Sequence, residues 1–472
     1  PFSMNQNEKR MILTSVQKPG RYAGGEYGQV IKDRAAVSAR FAFCFPDTYE
    51  IGMSNLGVRI LYHCLNLHER IWCERVYDPW VDMQEKMKEY DLPLTAVESG
   101  DPLSVFDFIG FTLQYEMSYT NVLNMLELGR VPIWARERGE HDPLVIGGGP
   151  CSYNPEPVAD FFDLFNIGEG EEMLPEIVEL YIAMRDEGSY TRAAFLHRAA
   201  ATIPGVYVPS LYDVTYNEDG TVRAYTPRYP DVPAVVTKRI VTDLDKGLYP
   251  EQVVMPYIET VQDRITVEVG RGCIRGCRFC QAGMTYRPVR EKTPDVINCQ
   301  ARAIFDTSGY EELSLSSLSI SDYTRIDELT DKLLAWTNPN MVSLSLPSLR
   351  VGSIDDDIMR RLAGIRRTGA TLAPEAGSQR LRDIINKGVT EEGLMLHVRK
   401  LFEHGWQQVK LYFMIGLPGE TQEDIEAIVD LCRKARDAAG RGMPRLQVTA
   451  AISPFVPKSH TPFQWEPQIS LE

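Results

Sequence analysis

The sequence predicts an α/β protein with two consecutive domains, each built on a mainly parallel sheet. Short apolar runs alternate with stretches of helical periodicity along most of the 472 residues, and this alternation is typical of parallel strands joined by right-handed helical crossovers. Glycine-rich turns follow several of the apolar runs, as they do where parallel strands end at a ligand site. At roughly 150 residues per domain, the length leaves room for about three folded segments.

Changes in this pattern divide the chain into four segments. We expect an N-terminal lead-in over residues 1–39, a doubly wound, Rossmann-like domain over 40–171, a connector over 172–262 and a partial barrel of six strand-helix units over 263–472. Residues 1–3, which precede the methionine at position 4, are expected to be the remnant of a tag.

The doubly wound domain begins with Arg40–Phe45, a β-type run rich in aromatic residues, and helical periodicity follows over Ser54–His68. Further strands of this domain are predicted at Cys73–Tyr77, Phe106–Leu113, Leu144–Ile146 and Leu164–Ile167. In the connector we predict helices at Glu172–Met184 and Thr191–Ala201, and a small strand-rich patch within residues 205–241.

Six strands and the helices between them predict the partial barrel. The strands are predicted at Ile265–Gly270, Glu311–Leu315, Val342–Leu346, Ala370–Ala373, Val409–Ile415 and Leu446–Ile452. The helices are predicted at Asp295–Asp306, Asp322–Trp336, Asp355–Arg366, Thr390–His404 and Thr421–Ala438. Because ligands bind at the carboxyl ends of barrel strands, residues just after each strand are the candidates for chemistry.

A cysteine-rich loop follows the first of these strands. Cys273, Cys277 and Cys280 have the spacing C-x-x-x-C-x-x-C, and none of the other six cysteines lies near them in sequence. Three thiolates can hold a four-iron cluster and leave one iron free for another ligand, whereas a structural zinc site needs four protein ligands. The loop therefore favours an iron–sulfur cluster, with a zinc loop or structural thiols as the alternatives.

At these residues the chain resembles the radical SAM enzymes, whose signature is C-x-x-x-C-x-aromatic-C, with Phe279 at the aromatic position. The resemblance implies a [4Fe–4S] cluster whose open iron binds S-adenosylmethionine (SAM), and an electron transfer that cleaves SAM to a 5′-deoxyadenosyl radical. It also implies an oxygen-sensitive TIM-type partial barrel and an external electron donor such as flavodoxin or ferredoxin.

Three further loops resemble the SAM-binding loops of that family. Ser316 and Ser317 follow the second strand, where hydroxyls replace the commoner Gly-Gly-Glu, and Glu375 after the fourth strand is expected to accept hydrogen bonds from the ribose or amino group of SAM. A G-x-P-G-E run after the fifth strand is expected to bring the backbone close to adenine. The residues of this run that we expect in contact with SAM are Ile415, Gly416 and Gly419.

The first domain resembles the cobalamin-binding domain that precedes many radical SAM barrels. The resemblance implies a pocket beyond the carboxyl ends of its strands. The residues expected to line this pocket are Tyr49, Gly52, Gly147, Gly148, Gly168 and Gly170. In the alternative interpretation, the glycines only make tight turns.

One position departs from the cobalamin pattern. Domains that ligate cobalt through histidine carry D-x-H-x-x-G, and here Asp47 and Gly52 match while Tyr49 stands at the place of the histidine. A neutral phenol is a poorer cobalt ligand than imidazole. Two alternatives stay open: cobalamin binds without a protein ligand to cobalt, or the domain has another task.

Methylthiotransferases have a similar barrel but carry three cysteines for a second cluster in their N-terminal domain. The N-terminal cysteines of this chain are Cys44, Cys64, Cys73 and Cys151. Cys44 and Cys64 are expected to be buried thiols on a strand and a helix, and Cys151 alone follows a glycine-rich turn at a ligand-binding position.

Composition excludes several classes. The sequence contains no run of about 18 apolar residues, so we expect no membrane span and a cytoplasmic protein. Nine cysteines, three of them in one loop, fit a reducing compartment. The net charge of −15 argues against broad binding to nucleic acid, which requires clustered lysine and arginine.

The resemblance therefore implies an enzyme that cleaves SAM to start a radical reaction. The sequence does not identify the substrate. Within this class, the alternatives are cobalamin-assisted methyl transfer and methylthiotransferase-like modification of RNA or protein. A different class is an iron–sulfur electron carrier or scaffold. The loop of Glu375 and the G-x-P-G-E run argue against it, because a carrier has no use for an adenosyl pocket.

Overall fold

The computed structural model describes residues 6–347, 370–438, 440 and 447–470, and the chain divides into two compact units. Unit 1 comprises Pro1–Thr242 and Lys246–Asp263, and unit 2 comprises Asp243–Asp245 and Arg264–Glu472. The segment 172–262, which the sequence suggests as a connector, therefore lies almost wholly in unit 1.

Unit 1 is built on a six-stranded sheet with the order β2-β1-β3-β4-β5-β6. The first five strands are parallel and β6 is antiparallel to β5. A separate antiparallel pair, β7 and β8, follows in the chain. The strand bounds are β1 Ala39–Phe45, β2 Ile71–Tyr77, β3 Phe108–Thr112, β4 Leu144–Gly148, β5 Leu164–Asn166, β6 Val206–Tyr207, β7 Tyr212–Tyr216 and β8 Val222–Pro227.

The central strands of unit 1 are apolar on both faces because helices cover both sides of the sheet. In β1 every residue but Arg40 is buried, and in β3 all five are. Phe41 stacks on Phe108 with ring centroids 5.8 Å apart, and Phe108 meets the ring of Tyr181 edge-on at 4.9 Å. These aromatic contacts join the sheet to helix α6. The helices of unit 1 are α1 Gln6–Ser15, α2 Tyr49–Ser54, α3 Leu56–Asn66, α4 Val81–Glu89, α5 Tyr119–Leu128, α6 Gly170–Asp186 and α7 Arg192–Thr202.

The helix predicted at Ser54–His68 is present as α3, Leu56–Asn66, and a short helix that was not predicted, Tyr49–Ser54, precedes it. The two helices are separated at Asn55, whose backbone is extended. The Asn55 side chain accepts a hydrogen bond from the Val58 N–H at 3.0 Å and so caps the second helix.

Unit 2 contains two parallel three-stranded sheets, ordered β13-β12-β9 and β14-β15-β16, and a short antiparallel pair of β10 and β11. The strands are β9 Ile265–Glu268, β10 Gly270–Arg271, β11 Arg290–Glu291, β12 Glu312–Ser316, β13 Ser343–Ser345, β14 Ala370–Glu375, β15 Gln408–Ile415 and β16 Gln447–Pro454. The helices of its described part are α8 Ala282–Thr285, α9 Pro294–Ser308, α10 Ile326–Thr337, α11 Gln379–Ile384, α12 Glu391–Glu403 and α13 Gln422–Asp437.

All six strands predicted for this region are therefore present. The helix predicted at Asp355–Arg366 and the first residue of the last predicted strand, Leu446, lie outside the described residues. β15 shows how the sheets are packed: Val409, Leu411 and Phe413 are buried with α12 and α13, whereas Lys410 and Tyr412 are exposed. The loops at the carboxyl ends of the strands are thus attached to a well-packed layer of helices.

Candidate functional site

The cysteine loop of unit 2 follows the carboxyl end of β9, and a short pair of strands closes its base. Gly270 and Arg271 pair with Glu291 and Arg290, so that residues 272–289 form a loop between two short strands. Gly272 has φ +86°, and a Cβ at this position would lie 2.8 Å from the Tyr286 carbonyl oxygen. Only glycine fits where the returning chain comes so close.

The three thiols of this loop fit a cluster rather than a single ion. Cys273 and Cys280 are half-buried and Cys277 is 9% exposed. The backbone N–H groups of Arg275 and Gly283 donate to the sulfurs of Cys273 and Cys280 at 3.4 and 3.3 Å, and such donors stabilise thiolates. Three thiolates suffice to hold a [4Fe–4S] cluster, whereas a structural zinc site takes four protein ligands.

The loops that follow β14, β15 and β16 hold the cysteine loop in place. The Phe279 side chain packs into one apolar cluster with residues from these loops, and the Arg278 N–H donates to the Ile385 carbonyl at 3.0 Å. The Asn386 amide donates to the Gly276 carbonyl at 2.8 Å. The other members of the cluster are Ala376, Leu381, Ile385, Leu417, Phe455 and Phe463. The structure thus brings the cysteines to the loops that carry the candidate SAM-binding residues.

Glu375 ends β14 in a strained conformation beside this loop. Its φ of +69° lies in the left-handed region, which is unfavourable for a residue with a Cβ and is common at functional sites. Its carboxylate pairs with the Lys387 ammonium at 3.0 Å, and both side chains are 15% exposed. Lys387 in turn lies 5.8 Å from the centroid of the Phe279 ring. Sequence reasoning missed Lys387, because twelve residues separate it from Glu375.

Replacement of Glu375 by glutamine is expected to lower kcat/KM for SAM cleavage by roughly 10- to 100-fold, because the variant loses the charge on one hydrogen-bond acceptor in a partly desolvated site. The assay is 5′-deoxyadenosine formation by reconstituted protein. Glu392→Gln, at an exposed position on α12, is the matched control. Equal kcat/KM for the two variants would remove Glu375 from the SAM site.

Ser316 ends β12 and Ser317 follows it. Ser317 is connected to the cysteine loop through Asp322, a residue that sequence reasoning missed. The Ser317 hydroxyl accepts from the Ser319 N–H at 3.3 Å, and the Ser319 hydroxyl donates to Asp322 at 2.8 Å. Asp322 also accepts from Arg275 at 2.9 Å. Since Arg275 lies between Cys273 and Cys277, Asp322 fixes the cysteine loop relative to the serines.

The G-x-P-G-E run forms a closed turn after β15, which ends at Ile415. Gly416 and Gly419 have φ of +82° and +76°, and the Gly416 N–H donates to the Glu420 carboxylate at 2.6 Å. A Cβ on Gly416 would collide with the Ile469 side chain. Contact with Ile469 therefore explains the glycine at 416. At 419 the nearest neighbour of a Cβ would be 3.6 Å away, so that side-chain packing does not explain the glycine there.

Unit 1 presents polar residues at the carboxyl edge of its sheet. Because β1 lies between β2 and β3, the residues after these strands meet at one edge. Asp47 accepts a hydrogen bond from the Tyr115 hydroxyl at 2.7 Å, and Asp78 accepts from the Asn124 amide at 2.8 Å. Met117, just after Tyr115, is 85% exposed. This edge combines polar groups with an apolar surface, as ligand sites commonly do.

Tyr49 does not face this edge as a ligand would. It is 2% exposed, and its hydroxyl donates to the carboxylate of Glu26. Glu26 also pairs with Arg75 at 2.5 Å, and the Tyr49 ring lies edge-on to Tyr77 at 5.2 Å. Burial and the charge of Glu26 raise the pKa of the Tyr49 phenol. A neutral phenol held in this way is not available to cobalt, and no local pattern indicated the contact with Glu26, which lies 23 residues earlier.

The glycines expected in the cobalamin-like pocket fall into two groups. A Cβ on Gly52, Gly147 or Gly168 would collide with Tyr77, Phe165 or the backbone of Arg239, respectively, so that internal packing accounts for these three. Gly148 and Gly170 are less restricted: the nearest atoms to a Cβ would be Asn166 Cβ at 3.8 Å and Leu61 Cδ2 at 3.2 Å.

Asn166, at the carboxyl end of β5 beside Gly148, is an unpredicted candidate. It is 3% exposed, and its amide nitrogen donates to the Gly168 carbonyl at 3.2 Å. Its side-chain oxygen has no hydrogen-bond partner in the described part of the chain. Since leaving such an acceptor unpaired costs about 1–3 kcal/mol, Asn166 is suited to accept a hydrogen bond from a bound molecule.

Asp78 gives the sheet edge a measurable pH dependence. Burial, together with the charge of Asp47 and against the hydrogen bond from Asn124, raises its pKa to about 6. A raised carboxyl pKa stabilises the fold below the pKa of the unfolded state, near 4, and this contribution is lost as pH rises through 6. Between pH 4 and 7 the free energy of unfolding should fall by about 2 kcal/mol relative to Asp78→Asn. The free energy of unfolding is measured by urea titration at each pH. An equal change with pH in both proteins would contradict this assignment.

The N-terminal cysteines are buried thiols. Cys44, Cys64 and Cys73 are fully buried and Cys151 is 6% exposed. Burial raises the pKa of the Cys44 and Cys73 thiols well above the ordinary value, which opposes formation of the thiolates that iron requires. This feature separates the chain from the methylthiotransferase pattern.

Comparisons with known proteins agree with this geometry. The family model described as "Radical SAM proteins, N-terminal" matches residues 57–209, and the model "Radical SAM superfamily" matches residues 267–432. MJ0966 of Methanocaldococcus jannaschii, described as an uncharacterized protein, is 28% identical over 435 residues, which cover 90% of this chain and 79% of MJ0966.

A tRNA-2-methylthio-N(6)-dimethylallyladenosine synthase of Desulforamulus reducens is 23% identical over 36% of this chain and 39% of its own length. Among solved structures, the radical SAM methyltransferase TsrM from Kitasatospora setae is similar in fold, with a TM-score of 0.60 and 16% identity, and the match covers 91% of this chain and 76% of TsrM.

The two matched models correspond to the two observed units, and the predicted fold class of a Rossmann-like domain followed by a partial barrel is confirmed. No helix of the described residues is long and apolar enough to cross a bilayer. The second model spans the cysteine loop and the loops of Ser316, Glu375 and Gly416. The chain belongs to the radical SAM superfamily, and this membership implies an enzyme with a [4Fe–4S] cluster and SAM as cofactors.

Proposed function

We propose that this enzyme binds cobalamin at the carboxyl edge of the unit 1 sheet, without a protein ligand to cobalt, and methylates its substrate. The observation that carries the proposal is the buried, unpartnered oxygen of Asn166 beside the open side of Gly148. This acceptor fits a hydrogen-bond donor of a bound molecule. TsrM, which has the same fold, has been solved with cobalamin and a [4Fe–4S] cluster bound.

The chain's own residues divide the work between the units. In unit 2, Cys273, Cys277 and Cys280 would hold the cluster, while Glu375 and the Gly419 turn would orient SAM. The bound cluster supplies the electron that cleaves SAM, and we infer an external donor such as flavodoxin or ferredoxin for that electron.

In unit 1, Asp47, Tyr115, Gly148 and Asn166 would bind the corrinoid, and cobalamin, when bound, supplies a carrier for a methyl group. Tyr49 takes no part in this binding, because its hydroxyl is committed to Glu26. The protein therefore determines the position of the corrinoid through its periphery rather than through cobalt.

Anaerobic reconstitution with iron, sulfide and hydroxocobalamin tests the proposal. We expect about four irons and one cobalt per chain, and a Co(II) electron paramagnetic resonance spectrum without the hyperfine pattern of a histidine nitrogen. Incubation with SAM should give S-adenosylhomocysteine as well as 5′-deoxyadenosine. A protein that forms 5′-deoxyadenosine but never retains cobalt would overturn cobalamin binding and leave a radical SAM enzyme of another reaction.

Asn166→Leu should weaken retention of cobalamin by about 10-fold, since it removes a buried hydrogen bond to the corrinoid. Asn121→Leu, at a half-buried position on α5, is a control for general disturbance of the sheet edge. Equal retention by both variants would exclude the contact with Asn166.

A further inference from the structure

The two sheets of unit 2 each have an apolar face and a polar face. In β15, Val409, Leu411 and Phe413 are buried against helices, and Lys410 and Tyr412 lie on the opposite face. Residues paired in register in a parallel sheet share a face. Lys410 is therefore flanked by Thr371 of β14 and Thr449 of β16.

The first sheet repeats this division. Leu313 and Leu315 of β12 are buried on one face, while Ser314, which is 7% exposed, and the half-buried Ser316 lie on the other. Ser314 pairs in register with Thr266 of β9 and Ser345 of β13, and Ser316 pairs with Glu268. The face turned away from the apolar core thus carries hydroxyl and charged side chains, whereas packed barrels are filled by branched aliphatic residues. Such a face suits water or a polar substrate.

Among the residues that the structure describes on these polar faces, every charge but one is paired. Glu268 pairs with Arg271 at 2.8 Å, Glu312 with Arg264, and Glu375 with Lys387 at 3.0 Å. Lys410 makes no ion pair with any residue that the structure describes, and its ammonium lies 5.0 Å from the centroid of the Tyr412 ring. An exposed ammonium that is flanked by hydroxyls and paired with no carboxylate of the described residues is suited to bind an anion.

We propose that Lys410, with Thr371, Tyr412 and Thr449, binds an anionic oxygen group of the substrate, a phosphate or a carboxylate. This inference rests on the proposed function, because it assigns the substrate class of the same barrel. In a chain with a net charge of −15, an anionic substrate needs a local cation of this kind.

The test uses the full, reconstituted chain with its lysines labelled by reductive ¹³C-methylation, which preserves their charge. Inorganic phosphate and acetate are titrated separately at constant ionic strength. Lys410→Gln assigns the Lys410 resonance, and Lys88→Gln assigns that of Lys88, an exposed residue of α4 that serves as the control. We expect a saturable shift of the Lys410 resonance with one of the anions, and a dissociation constant at least about fivefold lower than for Lys88.

Saturation by phosphate alone indicates a phosphorylated substrate, and saturation by acetate alone indicates a carboxylate. In either case Tyr412→Phe and Thr449→Val should weaken binding about threefold each. The proposal is overturned if neither anion shifts Lys410 more than Lys88. Its failure is distinct from failure of cobalamin binding, because this titration requires neither cobalt nor turnover.

Discussion

Alanine at Cys273, Cys277 or Cys280 is expected to abolish the formation of 5′-deoxyadenosine, a loss on the order of 1,000-fold or more. Each thiolate would bind a different iron of the cluster, so that removal of one would leave two protein ligands, and we expect such a cluster to be lost during reconstitution and desalting. In the Cys280 variant, the Gly283 N–H that donates to the Cys280 sulfur at 3.3 Å would also lose its acceptor. Iron content and product formation should fall together in all three variants.

Two cysteines outside the loop provide matched controls. Cys299 is exposed on α9 and Cys432 is half-buried on α13, and alanine at either should change iron content by less than about twofold. If a loop variant keeps its iron and its turnover while the control variants lose theirs, the cluster lies elsewhere. Zinc in place of iron in the wild-type protein would equally contradict the assignment.

The sequence was sufficient for the strands because their signals are local. The aromatic run of β1 is buried on both faces, and its pattern could be read without knowledge of its partners. The break at Asn55 was missed because an asparagine inside a helical pattern gives the same periodicity whether it caps a new helix or continues the old one.

In the candidate site, too, the residues with local signals were predicted and those that depend on long-range contacts were not. The spacing of the three cysteines is a local signal, and the loops of Glu375 and Gly416 occur in the expected order. Lys387, Asp322 and Asn166 could not be found, because each acquires its role from a partner distant in sequence or from a burial that only the folded chain creates. The hydroxyl of Tyr49 likewise donates to Glu26, a partner 23 residues earlier in the sequence.

Methionine at Arg382 is expected to destabilise unit 2 by about 3–5 kcal/mol. The Arg382 side chain is fully buried, and its guanidinium donates to the carbonyls of Ala376, Gly377 and Val389 at 2.8 to 3.0 Å. Burial lowers the pKa of this guanidinium, which these carbonyls hold in place. Methionine matches its length but donates nothing, so that three buried acceptors lose their donor.

The same substitution should also affect the candidate SAM site, because Arg382 joins both ends of the segment that carries Glu375 and Lys387. Ala376 follows the strained Glu375 directly, and Val389 lies two residues after Lys387. A loosened segment no longer imposes the 3.0 Å ion pair between them, and the KM for SAM should rise at least about 10-fold where the variant remains folded. Lysine at 382, which keeps the charge but cannot span three carbonyls in the plane of a guanidinium, should fall between methionine and wild type.

Arg380→Met is the control for the loss of an arginine from α11. Its side chain is 51% exposed and donates to the Gly419 carbonyl at 2.8 Å and to Asp424, so Arg380→Met should cost about 1 kcal/mol. Urea unfolding and SAM titration of Arg380→Met and Arg382→Met give the comparison. If the two variants unfold at the same urea concentration, the carbonyls around Arg382 find other donors, and the conformation of Glu375 must then be imposed by the close packing of Gly377 against the backbone of α13.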